Sequence, residues 1–111
     1  MSDIISSVQS MTPDPTRVEY LLIFSRAREG RLQEFRQWYD DTHIPEILEK
    51  FPGLFISATR ADLSGGDFDS LAEYAVEGSA REAWATVRGA GILSRGEDLD
   101  YESARVLFAS A

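Results

Sequence analysis

The stretch VEYLLIFSRAREGRLQEFRQWYDDTHIP, residues 18–45, contains a change of hydrophobic period that decides the fold. Residues 18–24 form a short apolar run with aromatic and branched side chains, typical of a β-strand covered on both faces. After a polar turn at residues 25–30, side chains that can face a core recur at spacings of three, four and four, which predicts an amphipathic helix. They are Leu32, Phe35, Tyr39 and His43. A strand followed by a helix therefore begins the ordered part of the chain.

The end of this first helix is predicted from a proline. Pro45 disfavours helical backbone geometry at the residue before it, so we expect the helix to end or kink near His43. Residues 47–51 then indicate a second short helical segment, which the Pro-Gly pair at residues 52–53 stops.

Three further strands are predicted in the second half of the chain. Residues 54–63 and 71–76 have strand-like composition, and the Ser-Gly-Gly-Asp turn at residues 64–67 makes them an antiparallel hairpin. Residues 101–109 predict the last strand.

A second helix is predicted between the last two strands. Ser79 is a suitable N-cap, and Glu82 three residues later completes a capping box. The order β-α-β-β-α-β predicts an α+β fold, the ferredoxin-like sandwich, with an antiparallel four-stranded sheet and both helices on one face. The other face is bare and carries apolar side chains, which monomers seldom expose, so we expect a homodimer.

The composition limits the class of protein. The chain has 111 residues, and we expect a flexible N-terminal tail at residues 1–16 and one domain at residues 17–111. It has no cysteine and a single histidine, so we expect no disulfide and no metal cage. The sequence has no phosphate-binding glycine loop, is too short for a dinucleotide fold and has no feature that specifically supports haem, so we also expect no cofactor. The net charge of -8 argues against nucleic acid or an anionic membrane as partner. Without a secretory signal or a membrane-spanning run, the expected location is cytoplasmic.

The segment FRQWYDDTHIPEI, residues 35–47, resembles the first-helix signature of the EthD-like family in the dimeric α/β-barrel superfamily, with its Trp-Tyr…His-x-Pro pattern. The Pro-Gly-Leu at residues 52–54, leading into a strand that carries Arg60, also fits, and the resemblance covers about residues 17–109. It implies two ferredoxin-like protomers packed sheet to sheet, each with a cavity between sheet and helices. Relatives include lactone isomerases, polyketide cyclases, cofactor-free monooxygenases and haem-handling enzymes, so the fold alone does not fix the reaction.

His43 and Tyr39 are the candidate catalytic residues. An imidazole with an unperturbed pKa of about 6.5 exchanges protons near neutral pH, and Tyr39, one helical turn earlier, can orient it or a substrate oxygen. The alternative is that His43 caps carbonyl groups at the helix end and that Tyr39 is a core aromatic residue.

Five further residues are candidates for binding substrate. Arg60 and Glu73 interrupt apolar strands, so either they form an internal ion pair or the arginine holds a substrate carboxylate or phenolate. Tyr74 and Trp84 either pack in the core or line an aromatic cavity. Trp38 is adjacent to the apolar stripe, near the dimer seam or the mouth of the cavity.

These residues predict a cofactor-independent acid–base enzyme of the isomerase, cyclase or lyase type. Its substrate is expected to be a small hydrophobic, oxygenated or aromatic metabolite held between helices and sheet. Two alternatives remain open at this point: a binding or accessory protein for such a metabolite, and a cofactor-free monooxygenase.

Overall fold

The fold is a four-stranded antiparallel sheet with helices on one face. A computed structural model describes residues 17–110, and the predicted N-terminal tail lies outside the described residues. The strands are β1 (Val18–Ala27), β2 (Ser57–Asp62), β3 (Ser70–Glu77) and β4 (Leu99–Ser110). The helical elements are α1 (Leu32–Trp38), a π-helical turn (Tyr39–His43), α2 (Ile44–Lys50) and α3 (Ala80–Ala90).

The sheet has the strand order β2-β3-β1-β4, and every neighbouring pair is antiparallel. This order and the two β-α-β halves confirm the predicted α+β, ferredoxin-like architecture. The first strand runs three residues further than predicted, because an irregularity in its pairing with β4 between Phe24 and Arg26 lets it continue to Ala27.

The first helix does not end at His43. Ile44 keeps helical dihedral angles (φ -62, ψ -48), and its N–H donates to the carbonyl oxygen of Tyr39, five residues earlier. Pro45 has no N–H, and its ring would crowd the carbonyl of the preceding turn in a regular α-helix. A wider π-helical turn takes the place of the predicted end or kink, and the chain stays helical from Leu32 to Lys50.

The predicted N-cap of the second helix is present in α3. Ser79 has extended backbone geometry, and its Oγ accepts a hydrogen bond of 3.2 Å from the N–H of Glu82. A second free N–H, that of Ala80, donates to Glu19 Oε1 at 2.9 Å and so ties the helix to β1. The helix ends at Gly91, whose φ of 61 is in the left-handed region that glycine adopts without strain.

Alternation along the strands separates an inner face from an outer face. Leu21 and Tyr74 are paired across β1 and β3 and are buried under the helices, where they pack in one core with Phe35, Tyr39 and Ile47. The next residue on each strand points to the opposite side. This outer face carries the apolar residues Tyr20, Leu22, Phe24, Leu71 and Leu107.

Candidate active site

A cavity of about 330 Å³ lies between the inner face of the sheet and the helices. Strands β1 and β4 form its floor, the π-helical turn and α2 one wall, and α3 with the following loop the other. Most of the lining is apolar, from Ile23, Ile47, Trp84, Val87, Leu93 and Leu99. Polar side chains also reach it: Ser25, Tyr39 and His43 come from β1 and the π-helical turn, and Arg88, Ser94, Arg95 and Tyr101 come from α3, the following loop and β4. An apolar cavity with few polar groups is typical of a site for a small organic molecule.

The imidazole of His43 is held by two aromatic rings. It stacks on Trp38 with ring centres 4.6 Å apart and an angle of 22° between the planes. The ring of Tyr39 meets it edge-on at 5.0 Å and 89°. Its Nδ1 is buried and has no hydrogen-bond partner within residues 17–110. That nitrogen therefore caps no carbonyl group of the described chain, and packing alone orients the ring.

Burial is the main cause of the ionisation state of His43. It lowers the pKa of the imidazole from 6.5 to about 4, and the negative charge of Glu46 opposes this effect only in part. The side chain is consequently neutral near pH 7. A neutral imidazole can accept a proton but cannot act as a cationic donor until it has done so.

Tyr39 belongs to a buried group of three hydroxyls with Ser25 and Tyr74. Burial raises the pKa of Tyr39 to about 12, while the Tyr74 and Ser25 hydroxyls and the charge of Arg60 oppose the rise less strongly. Burial also raises the pKa of Tyr74 well above its ordinary value. Neither Ser25 Oγ nor the Tyr74 hydroxyl has a hydrogen-bond partner of good geometry in the described chain. Tyr39 therefore stays a protonated donor at neutral pH, beside hydroxyl groups with spare bonding capacity.

Arg60 lies behind Tyr39, outside the lining of the cavity. Its Nε and Nη2 donate to the two carboxylate oxygens of Asp40 at 2.8 and 2.9 Å, and its Nη1 lies 2.7 Å from Asp62 Oδ1. The guanidinium carbon is 5.7 Å from the centre of the Tyr39 ring. These ion pairs with two aspartates replace the arginine–glutamate pair considered from the sequence, since Glu73 is on the exposed outer face of the sheet. The bidentate pair also lowers the pKa of Asp40.

The remaining candidates lie at different depths around the cavity. Trp84 lines it directly from α3. Trp38 lies behind His43, where its indole fills the space that a side chain at Gly96 would need. Tyr74 lies in the core behind Tyr39. The structure thus gathers His43, Tyr39 and Trp84 in the lining, and their catalytic and binding roles remain predictions.

The sequence reasoning missed several lining residues. Ser25 is in phase with the inner-face residues of β1, so the two-residue alternation contained a signal for it. Arg88 follows Trp84 by four residues on α3, the spacing that places side chains on one face. Arg95 and Tyr101 come from the loop after α3 and the start of β4, where no periodic pattern predicts orientation.

The loop at residues 91–98 is tied to the rest of the site by side chains. Glu46 accepts hydrogen bonds from the Ser94 N–H at 2.5 Å and from Ser94 Oγ at 2.7 Å. These bonds lower the pKa of the Glu46 carboxyl. Lys50 Nζ donates to the Ile92 carbonyl at 2.7 Å, so α2 holds this wall of the cavity at two points.

The structure of residues 17–110 shows neither a cluster of metal ligands nor a membrane-spanning helix. No three histidine, aspartate or glutamate side chains in this range converge as a metal ion would require. No helix in the same range has the length and the apolar character needed to cross a membrane.

Solved structures with this arrangement include two EthD-like proteins. An EthD-like protein from Ralstonia eutropha JMP134 matches with a TM-score of 0.58 and 14% sequence identity over 85% of this chain and 91% of that chain. An EthD family protein from Bacillus halodurans C-125 matches with a TM-score of 0.53 and 16% identity over 86% of this chain and 98% of that chain. The chain has the EthD-like fold. The expectation drawn from residues 35–47 is confirmed for the fold.

No protein-family model and no curated protein matches the chain. A shared fold does not imply a shared reaction, so only the residues of the cavity indicate the function.

Proposed function

We propose that this protein is a cofactor-independent enzyme that moves a proton on a small hydrophobic, oxygenated or aromatic molecule held in the cavity. The observation that carries the proposal is the neutral imidazole of His43, buried against two aromatic rings with an unpartnered nitrogen, in the lining of an apolar cavity. A buried titratable group with a perturbed pKa in a cavity is a common property of catalytic sites.

The mechanism follows from the two ionisation states. Neutral His43 removes a proton from a carbon next to a substrate carbonyl, and the electron pair of the broken C–H bond moves toward the carbonyl oxygen. The hydroxyl of Tyr39 donates a hydrogen bond to that developing enolate oxygen. The imidazolium then returns the proton. Its return to another carbon of the enolate gives isomerisation. Ring closure results when the enolate carbon attacks a second carbonyl of the substrate and the proton goes to the alkoxide formed. Elimination results when the enolate expels a β-oxygen substituent and the proton goes to that oxygen.

The low pKa of the free enzyme is compatible with this role. An enolate formed beside the imidazole stabilises the imidazolium in an environment of low dielectric, so proton transfer creates a favourable ion pair. Arg60 acts indirectly, because its guanidinium lies against the ring of Tyr39 and its own hydrogen-bond donors are committed to aspartates. Its role is to position Tyr39.

Exchange of α-hydrogens on a simple cyclic ketone tests the proposal. We expect the protein to accelerate deuterium uptake by 2-tetralone in D₂O, followed by ¹H NMR, and His43→Gln to reduce the rate to that of buffer. Tyr39→Phe should slow exchange by about 10²-fold or more, since it removes one enolate-stabilising donor. Full exchange activity in a folded His43→Gln variant would show that His43 is not the base.

A non-catalytic binding protein is the second candidate. The ionisation states of His43 and Tyr39 favour this function, because both side chains are neutral near pH 7. The part of the cavity that they line is therefore uncharged. The two functions separate in one titration. Quenching of tryptophan fluorescence by 2-tetralone without deuterium uptake favours binding, because Trp84 reports occupancy and exchange reports chemistry.

We also propose that two chains pack through the outer face of the sheet, as the family resemblance implies. Leu22 and Leu107 are opposite each other across β1 and β4 on that face, and Leu107 is 54% exposed. A stable dimer of standard size buries about 800 Å² on each partner.

A charged substitution on this face tests the dimer. We expect light scattering after size exclusion to give twice the chain mass for the wild type and a monomer for Leu107→Arg. Leu48→Arg is the matched control, because Leu48 is 40% exposed but lies on α2, on the helical side of the sheet. A monomeric wild type at micromolar concentration contradicts the proposal.

A further inference from the structure

Two arginines, Arg88 and Arg95, line the cavity without a carboxylate partner. Both are exposed, and neither lies within ion-pair distance of an aspartate or glutamate in the described part of the chain. Arg28, Arg81 and Arg105 also lack such a partner in the described chain, but they lie outside the cavity lining. The lining therefore contains two positive charges that no ion pair neutralises.

Both guanidinium groups lie over aromatic walls of the cavity. The Arg95 carbon Cζ is 4.1 Å from the centre of the Tyr101 ring, and that of Arg88 is 5.7 Å from the centre of the Trp84 ring. Contact with a ring face limits the motion of the side chain and leaves the N–H edge of the guanidinium free to donate. The arginines are therefore oriented donors as well as surface charges.

The carboxylate of Glu46, which binds Ser94 next to Arg95, is already engaged. Glu46 uses both oxygens to accept from Ser94, and Lys50 Nζ lies 3.7 Å from its Oε2. Its negative charge is offset locally and its lone pairs are directed at the loop. The charges of Arg88 and Arg95 remain for an incoming group.

The cavity consequently has two chemically different ends. Ser25, Tyr39 and His43 supply neutral polar groups among apolar walls. The exposed Arg88 and Arg95 supply positive charge where the lining meets solvent. An elongated molecule with an oxygen function at one end and an anion at the other matches this distribution of groups.

We propose, building on the proposed function, that the ligand of this cavity is an amphipathic carboxylate: an apolar ring system within the walls, with its carboxylate at Arg88 and Arg95. Guanidinium groups bind carboxylates in a planar, charge-assisted manner, which makes this anion the best match to the donors present. The carboxylate fixes which end of the molecule enters first. The group that reacts is thereby directed to Tyr39 and His43.

A pair of probes that differ only in charge tests the inference. We expect isothermal titration calorimetry to show that 2-naphthoate binds about tenfold more tightly than 2-naphthamide, its neutral counterpart. The double variant Arg88→Gln/Arg95→Gln should lose this preference and keep the affinity for the amide. Arg28→Gln/Arg81→Gln is the matched control, because it changes the net charge equally. Both of its residues are exposed, outside the cavity lining and without an ion pair in the described chain.

Each outcome has one meaning. The carboxylate assignment is overturned if the wild type binds both probes with equal affinity or binds neither. It is also overturned if the preference for 2-naphthoate survives in Arg88→Gln/Arg95→Gln. The proposed catalytic function is judged separately by deuterium uptake into 2-tetralone, a neutral molecule. A wild type that shows no charge preference but does accelerate deuterium uptake would refute only the ligand class.

Discussion

Acidification should destabilise this protein through a single residue, His43. The chain has only one histidine, so no other side chain has an ordinary pKa between 5 and 7. Replacing it by Gln keeps a side chain of similar size and polarity but removes the titration. The comparison of wild type with His43→Gln at two pH values therefore isolates the cost of burying this imidazole.

The size of the effect follows from the two pKa values of His43. The ordinary pKa is 6.5, and burial lowers it to about 4 in the folded protein. Between these values the unfolded chain binds a proton that the folded chain does not bind, so stability is complete above pH 6.5 and falls as the pH approaches 4. At about 1.4 kcal/mol for each tenfold change, the full loss is about 3 kcal/mol, of which about 2 kcal/mol falls between pH 7 and pH 5.

Urea unfolding followed by far-ultraviolet circular dichroism measures this difference. We expect the free energy of unfolding of the wild type to fall by about 2 kcal/mol more than that of His43→Gln between pH 7 and pH 5. Carboxyl groups titrate mainly below this range and do so in both proteins. The single imidazole Hε1 resonance gives the pKa directly by NMR, without assignment of any other histidine.

Two results would refute the reasoning about His43. One is an NMR titration with a pKa near 6.5, which would place the imidazole in water. The other is an equal loss of stability in wild type and variant, which would assign the acid sensitivity to carboxyl groups. A carboxylate probe bound in the cavity should raise the pKa of His43, since a nearby anion favours the imidazolium.

Three further substitutions have outcomes that follow from the local structure. Gly96→Ala should lower the free energy of unfolding by about 1–3 kcal/mol, because the new Cβ collides with the indole of Trp38. The indole cannot move without unstacking from the imidazole of His43. Gly89→Ala, where the new Cβ meets open space within α3, should raise the free energy of unfolding by about 0.5–1 kcal/mol. Thermal melts compare the two, and a stable Gly96→Ala protein would show that the loop moves freely. Arg60→Lys keeps the charge but loses the bidentate bond to Asp40. It should lower the exchange rate of 2-tetralone with little change in fold by circular dichroism, whereas an unchanged rate would remove Arg60 from the positioning of Tyr39.

The sequence was sufficient for the fold because each element has a local signal. One element or turn is specified by each local signal: the apolar run at residues 18–24, the hairpin turn at 64–67 and the Ser79 cap. The order of the elements along the chain then specifies the topology. The ends of the elements have weaker local signals. Strand β1 continues past the apolar run because the neighbouring strands β3 and β4 form hydrogen bonds with it. The sequence of β1 alone does not predict these hydrogen bonds.

The site was predictable only where it lies on the first helix. His43 and Tyr39 follow from a helical spacing, and the structure places both in the cavity lining. Arg60 was harder to interpret. Its partner Asp62 is two residues later on the same strand, but Asp40 lies on the π-helical turn, and the sequence has no pattern that predicts a pair between these two elements. Arg95 reaches the cavity from an irregular loop, so only the three-dimensional structure reveals it.

The π-helical turn determines which side chains of α2 face the sheet, because it sets the rotation of α2 relative to α1. Phe35 and Ile47, both buried, are twelve residues apart, and a regular α-helix would turn the second about 120° away from the first. A π-helical turn absorbs one extra residue, which reduces the offset to about 20° and keeps both side chains toward the sheet. The inward direction of Ile47 therefore depends on the wider turn at residues 39–43, because this turn absorbs the residue that would put the two halves out of phase. Deleting one residue of the turn would leave a regular α-helix in which Phe35 and Ile47 both still face the sheet, so the core should tolerate the deletion while the local geometry around His43 is lost.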